Sequence, residues 1–154
     1  MIIIIEGPDG SGKTTLAEKM HKQTGYKLLH RSYPKTEEDK ERMMAEYMQV
    51  IKSGVNCIFD RSWYSEMVYG PVMRNDSIIS YPQMYTLERE LTKRGAIVIY
   101  CGGMISNMWA RCKERGEDYV VDIQKYSQIC HDFETLMYDV PHLVPVVTYE
   151  YKNL

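Results

Sequence analysis

The stretch MIIIIEGPDGSGKTTLAEKM, residues 1–20, decides how the rest of the chain is read. Four consecutive isoleucines, Ile2 to Ile5, form an unbroken β-branched run. Such a run suits a strand buried on both faces at the centre of a parallel sheet, not a half-exposed antiparallel one. The run stops at Gly7, and Gly7 to Thr14 spells G-x-x-x-x-G-K-[ST], here G-P-D-G-S-G-K-T. A helical pattern then begins with Leu16, Ala17 and Met20. Strand, glycine-rich loop and helix in that order are the context this motif needs.

The residue types dictate the chemistry. Glycines at 7, 10 and 12 allow backbone turns forbidden to other residues and a close approach to an anion. Successive N–H groups then form a concave nest at the positive end of a helix, suited to the β-phosphate of a nucleotide. Gly7, Asp9, Gly10, Ser11, Gly12, Lys13, Thr14 and Thr15 are the expected ATP-binding residues. Lys13 reaches the β- and γ-phosphates as a mobile point charge, and the Thr14 hydroxyl ligates Mg²⁺. ATP and Mg²⁺ are the expected cofactors.

A chain of 154 residues has room for one domain with a real core. The formal net charge of −2 argues against duplex nucleic acid as a partner, which needs a dominant positive field. No apolar run approaches the roughly 20 residues that span a bilayer. The isoleucines are not a secretory signal either, because no basic segment precedes them and the P-loop follows at once. Cys57, Cys101, Cys112 and Cys130 show neither C-x-x-C pairing nor zinc spacing, and read as core fillers in a reduced, cytoplasmic protein. His21, His30, His131 and His142 form no visible constellation.

Along the chain, a helix over 13–24 ends at Gly25. Tyr26–His30 is a short strand followed by the loop Arg31-Ser-Tyr-Pro-Lys35. Thr36 caps a helix with an acidic first turn that closes at Gly54. Val55–Phe59 is a third strand delivering Asp60-Arg61. A helix starts at Ser62 and is interrupted at Gly70-Pro71, with 71–80 a surface excursion. Ser80 caps the next helix, which ends at Gly95, and Ala96–Cys101 is the fourth strand. Helices over 105–115 and about 121–138 follow, then a fifth strand from Val144 to Tyr149. This alternation predicts a three-layer α/β/α fold with a five-stranded parallel sheet and right-handed crossovers. Ligands in such sheets sit at the carboxyl ends of the strands, so the loops at 6–14, 31–36, 60–65 and 101–106 matter most.

Beyond the P-loop, the sharpest cluster is FDRSWYSEMVYG, residues 59–70. Asp60 stands where a strand-end carboxylate would hold Mg²⁺ or act on an acceptor oxygen. Arg61 offers a bidentate fork to a phosphate. Further on, Arg111 and Arg115 lie four residues apart on one helical face, where cations would meet the developing charge of phosphoryl transfer.

These motifs together resemble the thymidylate kinase-like branch of P-loop nucleoside monophosphate kinases. The matching stretches are EGPDGSGKTT (6–15), DRSWYS (60–65), similar to that family's D-R-Y/H motif, and RCKERGEDY (111–119), similar to its arginine-bearing lid. SEMVYGPVMR (65–74) resembles short phage deoxynucleoside monophosphate kinases. The resemblance implies one P-loop kinase domain over 1–154 with a lid around 111–120. It implies catalytic roles for Lys13, Asp60, Arg61, Arg111 and Arg115. Asp9 would face the acceptor sugar, with Arg61, Tyr33, Lys35, Trp63, Tyr69 and Arg74 lining the acceptor site. The family's Phe-Pro followed by Arg is replaced here by Tyr33-Pro34-Lys35, so Lys35 or Arg31 stands in for the acceptor-phosphate arginine.

The leading expectation is phosphoryl transfer from ATP to a deoxynucleoside monophosphate, dTMP or a related one, giving the diphosphate. The partner is then a small-molecule nucleotide acceptor, and a homodimer stays open. The alternative is a deoxynucleoside kinase, because Asp60-Arg61-Ser62 matches that family's D/E-R-S motif literally; Asp60 would take the proton of an uncharged 5′-hydroxyl. A non-kinase P-loop ATPase or switch fits less well. N-K-x-D is absent, and the third strand ends in Asp-Arg where a motor would have Asp-Glu.

Overall fold

The computed structural model describes residues 1–30, 34, 36–77, 79–117 and 119–151. Strand β1 (Ile2–Glu6) is followed by helix α1 (Lys13–Thr24), β2 (Lys27–His30), α2 (Glu37–Lys52), β3 (Cys57–Asp60) and α3 (Trp63–Arg74). Then come α4 (Tyr81–Thr92), β4 (Ala96–Gly102), α5 (Ile105–Glu114), α6 (Ile123–Glu134) with a π-turn at Thr135–Asp139, and β5 (Val146–Glu150).

All five strands are parallel, in the order β2-β3-β1-β4-β5. The isoleucine run is the central strand, and its alternation divides the core. Ile2 and Ile4 join one apolar cluster with Trp63, Tyr64, Leu87, Leu91 and Phe133, contributed by α3, α4 and α6. Ile3 and Ile5 join a second with Ala17 of α1, Ile58, Ile99 and Cys101. Every residue of β1 is buried, as a strand covered on both faces must be. The three-layer architecture expected from the alternation of elements is therefore the one observed.

Two helices differ most from the sequence reading, while other element ends shift by a few residues. Helix α3 does not stop at Gly70-Pro71 but runs on to Arg74, where Asn75 ends it in a left-handed conformation (φ 57°). Pro71 removes one helical donor, a cost outweighed by the buried face of Trp63, Tyr64, Val68 and Tyr69. Gly70 is needed for packing: a side chain there would collide with the Asp76 carbonyl. The long helix expected over 121–138 is shorter, capped by Asp122 and ending in the π-turn. The four cysteines are buried and free. Among the described residues, no helix is long and apolar enough to cross a membrane.

Candidate active site

Five strand ends converge on the loop after β1. The chain leaves β1 through Gly7, where a side chain would run into the Cys101 carbonyl of β4. Gly10 and Gly12 take positive φ values of 79° and 87°, so the loop turns back on itself and feeds α1. Gly12 is the N-cap of α1 and supplies no side-chain acceptor. The first-turn amides are therefore left for a bound anion.

Lys13 is almost completely buried, with Nζ 3.4 Å from the Pro8 carbonyl. Burial holds its pKa below the usual value and Arg61 adds to the effect, while Asp9, Asp60 and Glu6 oppose it. The Ser11 hydroxyl is buried with no partner among the described residues. Thr14 and Thr15 are exposed on the first turn of α1.

Thr14 Oγ1 donates to Asp60 Oδ2 at 2.8 Å, which joins the P-loop to the end of β3. The same oxygen meets His30 Nδ1 at 2.8 Å. Asp60 is 4% exposed, and its Oδ1 is buried without a hydrogen-bond partner among the described residues.

Arg61 leaves the strand with φ 71°, a conformation disfavoured for a branched-off side chain and held only by its surroundings. Its guanidinium donates from Nη1 to Ser65 Oγ (2.9 Å) and the Gly7 carbonyl (3.3 Å), and from Nη2 to Asp9 and to Tyr69 Oη (3.4 Å). It also lies 4.9 Å from the Tyr69 ring centroid. Asp9 is held on its other side as well: its N–H donates to Tyr69 Oη at 3.1 Å, and Tyr126 Oη donates to its carbonyl. Burial pushes the Tyr69 phenol well up, so it stays neutral.

Beside this cluster opens a cavity of about 230 Å³ lined by Asp9, Pro34, Met43, Tyr47, Arg61, Ser62, Ser65, Glu66, Tyr69 and Tyr119. Asp9, Arg61 and Tyr69 were expected there. Trp63 was expected in the acceptor site, but it is fully buried and packs edge-on against Tyr47 and Phe59. On helix α3 its position faces the sheet, and residues 62, 65, 66 and 69 face the cavity. Arg74 is ion-paired with Glu66 at the cavity wall. Tyr33, Lys35 and Arg31 lie outside the described residues. Arg111 reaches the P-loop, with Nε donating to the Gly10 carbonyl at 2.6 Å. Arg115, one turn further, is 42% exposed in its side chain and stands 4.0 Å from Glu117.

Three participants escaped the sequence reading. Glu6 is fully buried at the end of β1 and accepts hydrogen bonds from both the N–H and the hydroxyl of Ser62 and of Ser65. A lone carboxylate closing an isoleucine run is the signal that was available. His30 joins Asp60. Tyr151, just past β5, covers the P-loop: a Cβ at Gly12 would meet three of its side-chain atoms at 2.8 Å. Arg111 stacks on the ring of Tyr151, 4.9 Å from its centroid.

A phosphate nest, a buried lysine and a strand-end Asp-Arg pair beside a nucleoside-sized cavity define a P-loop phosphotransferase of the nucleoside and nucleotide kinase fold. The chain belongs to the polyphosphate kinase 2 family, whose model matches residues 1–126. It is an enzyme of the phosphotransferase class. It is 29% identical over 119 residues to the SPbeta prophage-derived uncharacterized protein YorR of Bacillus subtilis (strain 168), covering 77% of this chain and 72% of that one. The crystal structure of YorR in complex with phosphorylated GDP superposes with a TM-score of 0.81 at 23% identity, covering 97% of this chain and 85% of that one. Deoxyadenosine kinase from M. mycoides with bound dATP gives a TM-score of 0.64 at 18% identity, covering 97% and 91%. At these identities the superpositions establish the fold. They relate it to deoxyadenosine kinase and YorR and do not single out the thymidylate kinases.

Proposed function

We propose that this protein transfers the γ-phosphoryl group of ATP to the 5′-hydroxyl of a deoxynucleoside, giving the monophosphate. This is the alternative of the sequence reading, preferred here over the monophosphate acceptor. The observation that carries it is the charge of the cavity lining. Among its described residues are two carboxylates, Asp9 and Glu66, and one guanidinium, Arg61, already engaged by Asp9. Arg74 is likewise engaged by Glu66. A dianionic acceptor phosphate entering such a wall would be repelled and partly desolvated, whereas a neutral nucleoside would not. The structure of deoxyadenosine kinase from M. mycoides with products dCMP and dCDP supports the same reading. The monophosphate reading draws its support from the phosphorylated GDP in the YorR structure.

In this reading the P-loop amides and Lys13 hold the β- and γ-phosphates, and Arg111 approaches from the lid segment 111–120. Thr14 Oγ1 and Asp60 fit a Mg²⁺ ion: the hydroxyl proton is directed at Asp60, leaving the oxygen lone pairs outward, and Asp60 Oδ1 is a buried acceptor with no hydrogen-bond partner among the described residues. When bound, the ion neutralises charge on the phosphates. The 5′-oxygen forms its bond to the γ-phosphorus as the bridging bond to ADP breaks. The hydroxyl proton becomes strongly acidic as that bond forms, so a nearby carboxylate suffices to take it. Asp9 lines the cavity and Asp60 does not, which makes Asp9 the better placed acceptor.

Coupled ADP release with deoxyadenosine, deoxyguanosine, deoxycytidine, thymidine and their monophosphates in turn tests the acceptor. Inorganic polyphosphate in place of ATP tests the donor. Turnover with monophosphates alone would reverse the acceptor assignment, and turnover with polyphosphate alone would reverse the donor.

A further inference from the structure

We propose that His30 is a positioning residue for the divalent cation that accompanies the donor nucleotide, acting through Asp60 and Thr14. The inference rests on the cation reading of those two residues given above.

Strands β2 and β3 are paired in parallel with His30 directly beside Asp60, both at the carboxyl end of the sheet. Asp60 Oδ2 takes two contacts, from Thr14 Oγ1 and from His30 Nδ1, each at 2.8 Å. A carboxylate oxygen accepts, so in this contact His30 Nδ1 is the donor. The other oxygen, Oδ1, is buried and unpartnered among the described residues. The two oxygens of one carboxylate are thus made inequivalent: one is saturated by donors and the other is kept for a ligand.

Without His30, the carboxylate keeps one hydrogen bond among the described residues, from Thr14. Rotation about its terminal bond to intermediate angles then costs little, and the free oxygen is no longer held towards one point. Asp60 has 5% of its side chain exposed, so water is poorly placed to substitute for the lost donor. The His30 side chain is itself 57% exposed, so it contributes little packing, and a purely structural role is a weak account of it. Outer-sphere hydrogen bonds that orient a ligating group typically change metal affinity by about 10- to 100-fold.

The test measures ADP binding to the 154-residue chain by titration calorimetry, with Mg²⁺ and separately with EDTA. The dissociation constant in EDTA divided by that in Mg²⁺ reports the coupling between cation and nucleotide. His30→Leu should lower that ratio about tenfold while leaving metal-free ADP affinity unchanged. His30→Asn, whose amide nitrogen stands at the place of Nδ1, should retain the wild-type ratio. His30→Gln, whose nitrogen reaches the place of Nε2, should behave like leucine and remains informative if His30→Leu fails to fold. An unchanged ratio in the leucine or glutamine variant would overturn the inference, as would a parallel loss of metal-free and metal-loaded binding. A wild-type protein whose ADP binding ignores Mg²⁺ would overturn the cation reading itself, and the role of His30 with it.

Discussion

The backbone N–H of Ser65 donates to Glu6 Oε2 at 2.7 Å, linking the end of the central strand to the first turn of α3. The Ser65 hydroxyl donates to the other Glu6 oxygen at 2.5 Å and receives the Arg61 guanidinium at 2.9 Å. Glu6 is thereby the hub that holds β1, the Asp60-Arg61 turn and α3 in one arrangement. Its pKa is raised, burial outweighing the serine hydrogen bonds and the Arg61 charge that favour the anion.

Glu6→Gln sets an amide NH₂ against donors, leaving at least one serine group without an acceptor. A loss of about 2–4 kcal/mol of folding free energy is expected, measured by guanidinium denaturation. An unchanged midpoint would show that Ser62 and Ser65 find other acceptors.

Lys13→Ala removes the buried ammonium from the nest, and the hydrogen bond it breaks among the described residues is a long one, to the Pro8 carbonyl. Transfer should fall on the order of 10²-fold or more, with the thermal midpoint retained. Turnover near wild type would end the kinase reading.

Arg61→Lys keeps the charge but not the fork that bridges Asp9, Gly7 and Ser65. Steady-state kinetics should show a larger rise in KM for the acceptor than for ATP. An equal rise for both substrates would make Arg61 a general support of the P-loop.

Gly12→Ala meets two separate obstacles, a φ of 87° and the ring of Tyr151. The backbone share alone is about 1–2 kcal/mol. Comparing Gly12→Ala with and without Tyr151→Ala separates the two: the double variant should regain the steric share and keep the backbone share. Full recovery would mean that the left-handed conformation carries no cost here.

His142 faces two acceptors, Glu88 Oε2 at 2.9 Å and the Leu136 carbonyl at 2.7 Å. Burial opposes its charged form, but the Glu88 hydrogen bond, the carbonyl and the Glu88 charge outweigh it, and the pKa lies above the usual 6.5. The folded state therefore holds this proton more tightly than the unfolded chain. The resulting stability is fully present below pH 6.5 and is lost as pH rises through the folded-state pKa. Denaturation midpoints measured upward from below pH 6.5 should fall, and Glu88→Gln should flatten the decline. A midpoint that rises over the same range would contradict the pair's assignment.

What could be read in the letters was what short-range physics determines. The buried strand Ile2–Ile5, the glycine turns of the P-loop, and caps such as Thr36 and Ser80 depend on residues within a turn of one another. The strand–helix alternation then left few topologies, and the five-stranded parallel sheet followed. The same local view misread Gly70-Pro71 as a break, because the buried face that carries α3 through it is assembled from distant elements. It also left Trp63 among the acceptor residues, since helical phase relative to the sheet is decided by packing. Glu6 with Ser65, His30 with Asp60, and Tyr151 with Gly12 are separated by 59, 30 and 139 positions along the chain. Only tertiary structure brings them together, because strand order and the burial of both sheet faces, not any local preference, set which side chains meet at the carboxyl end.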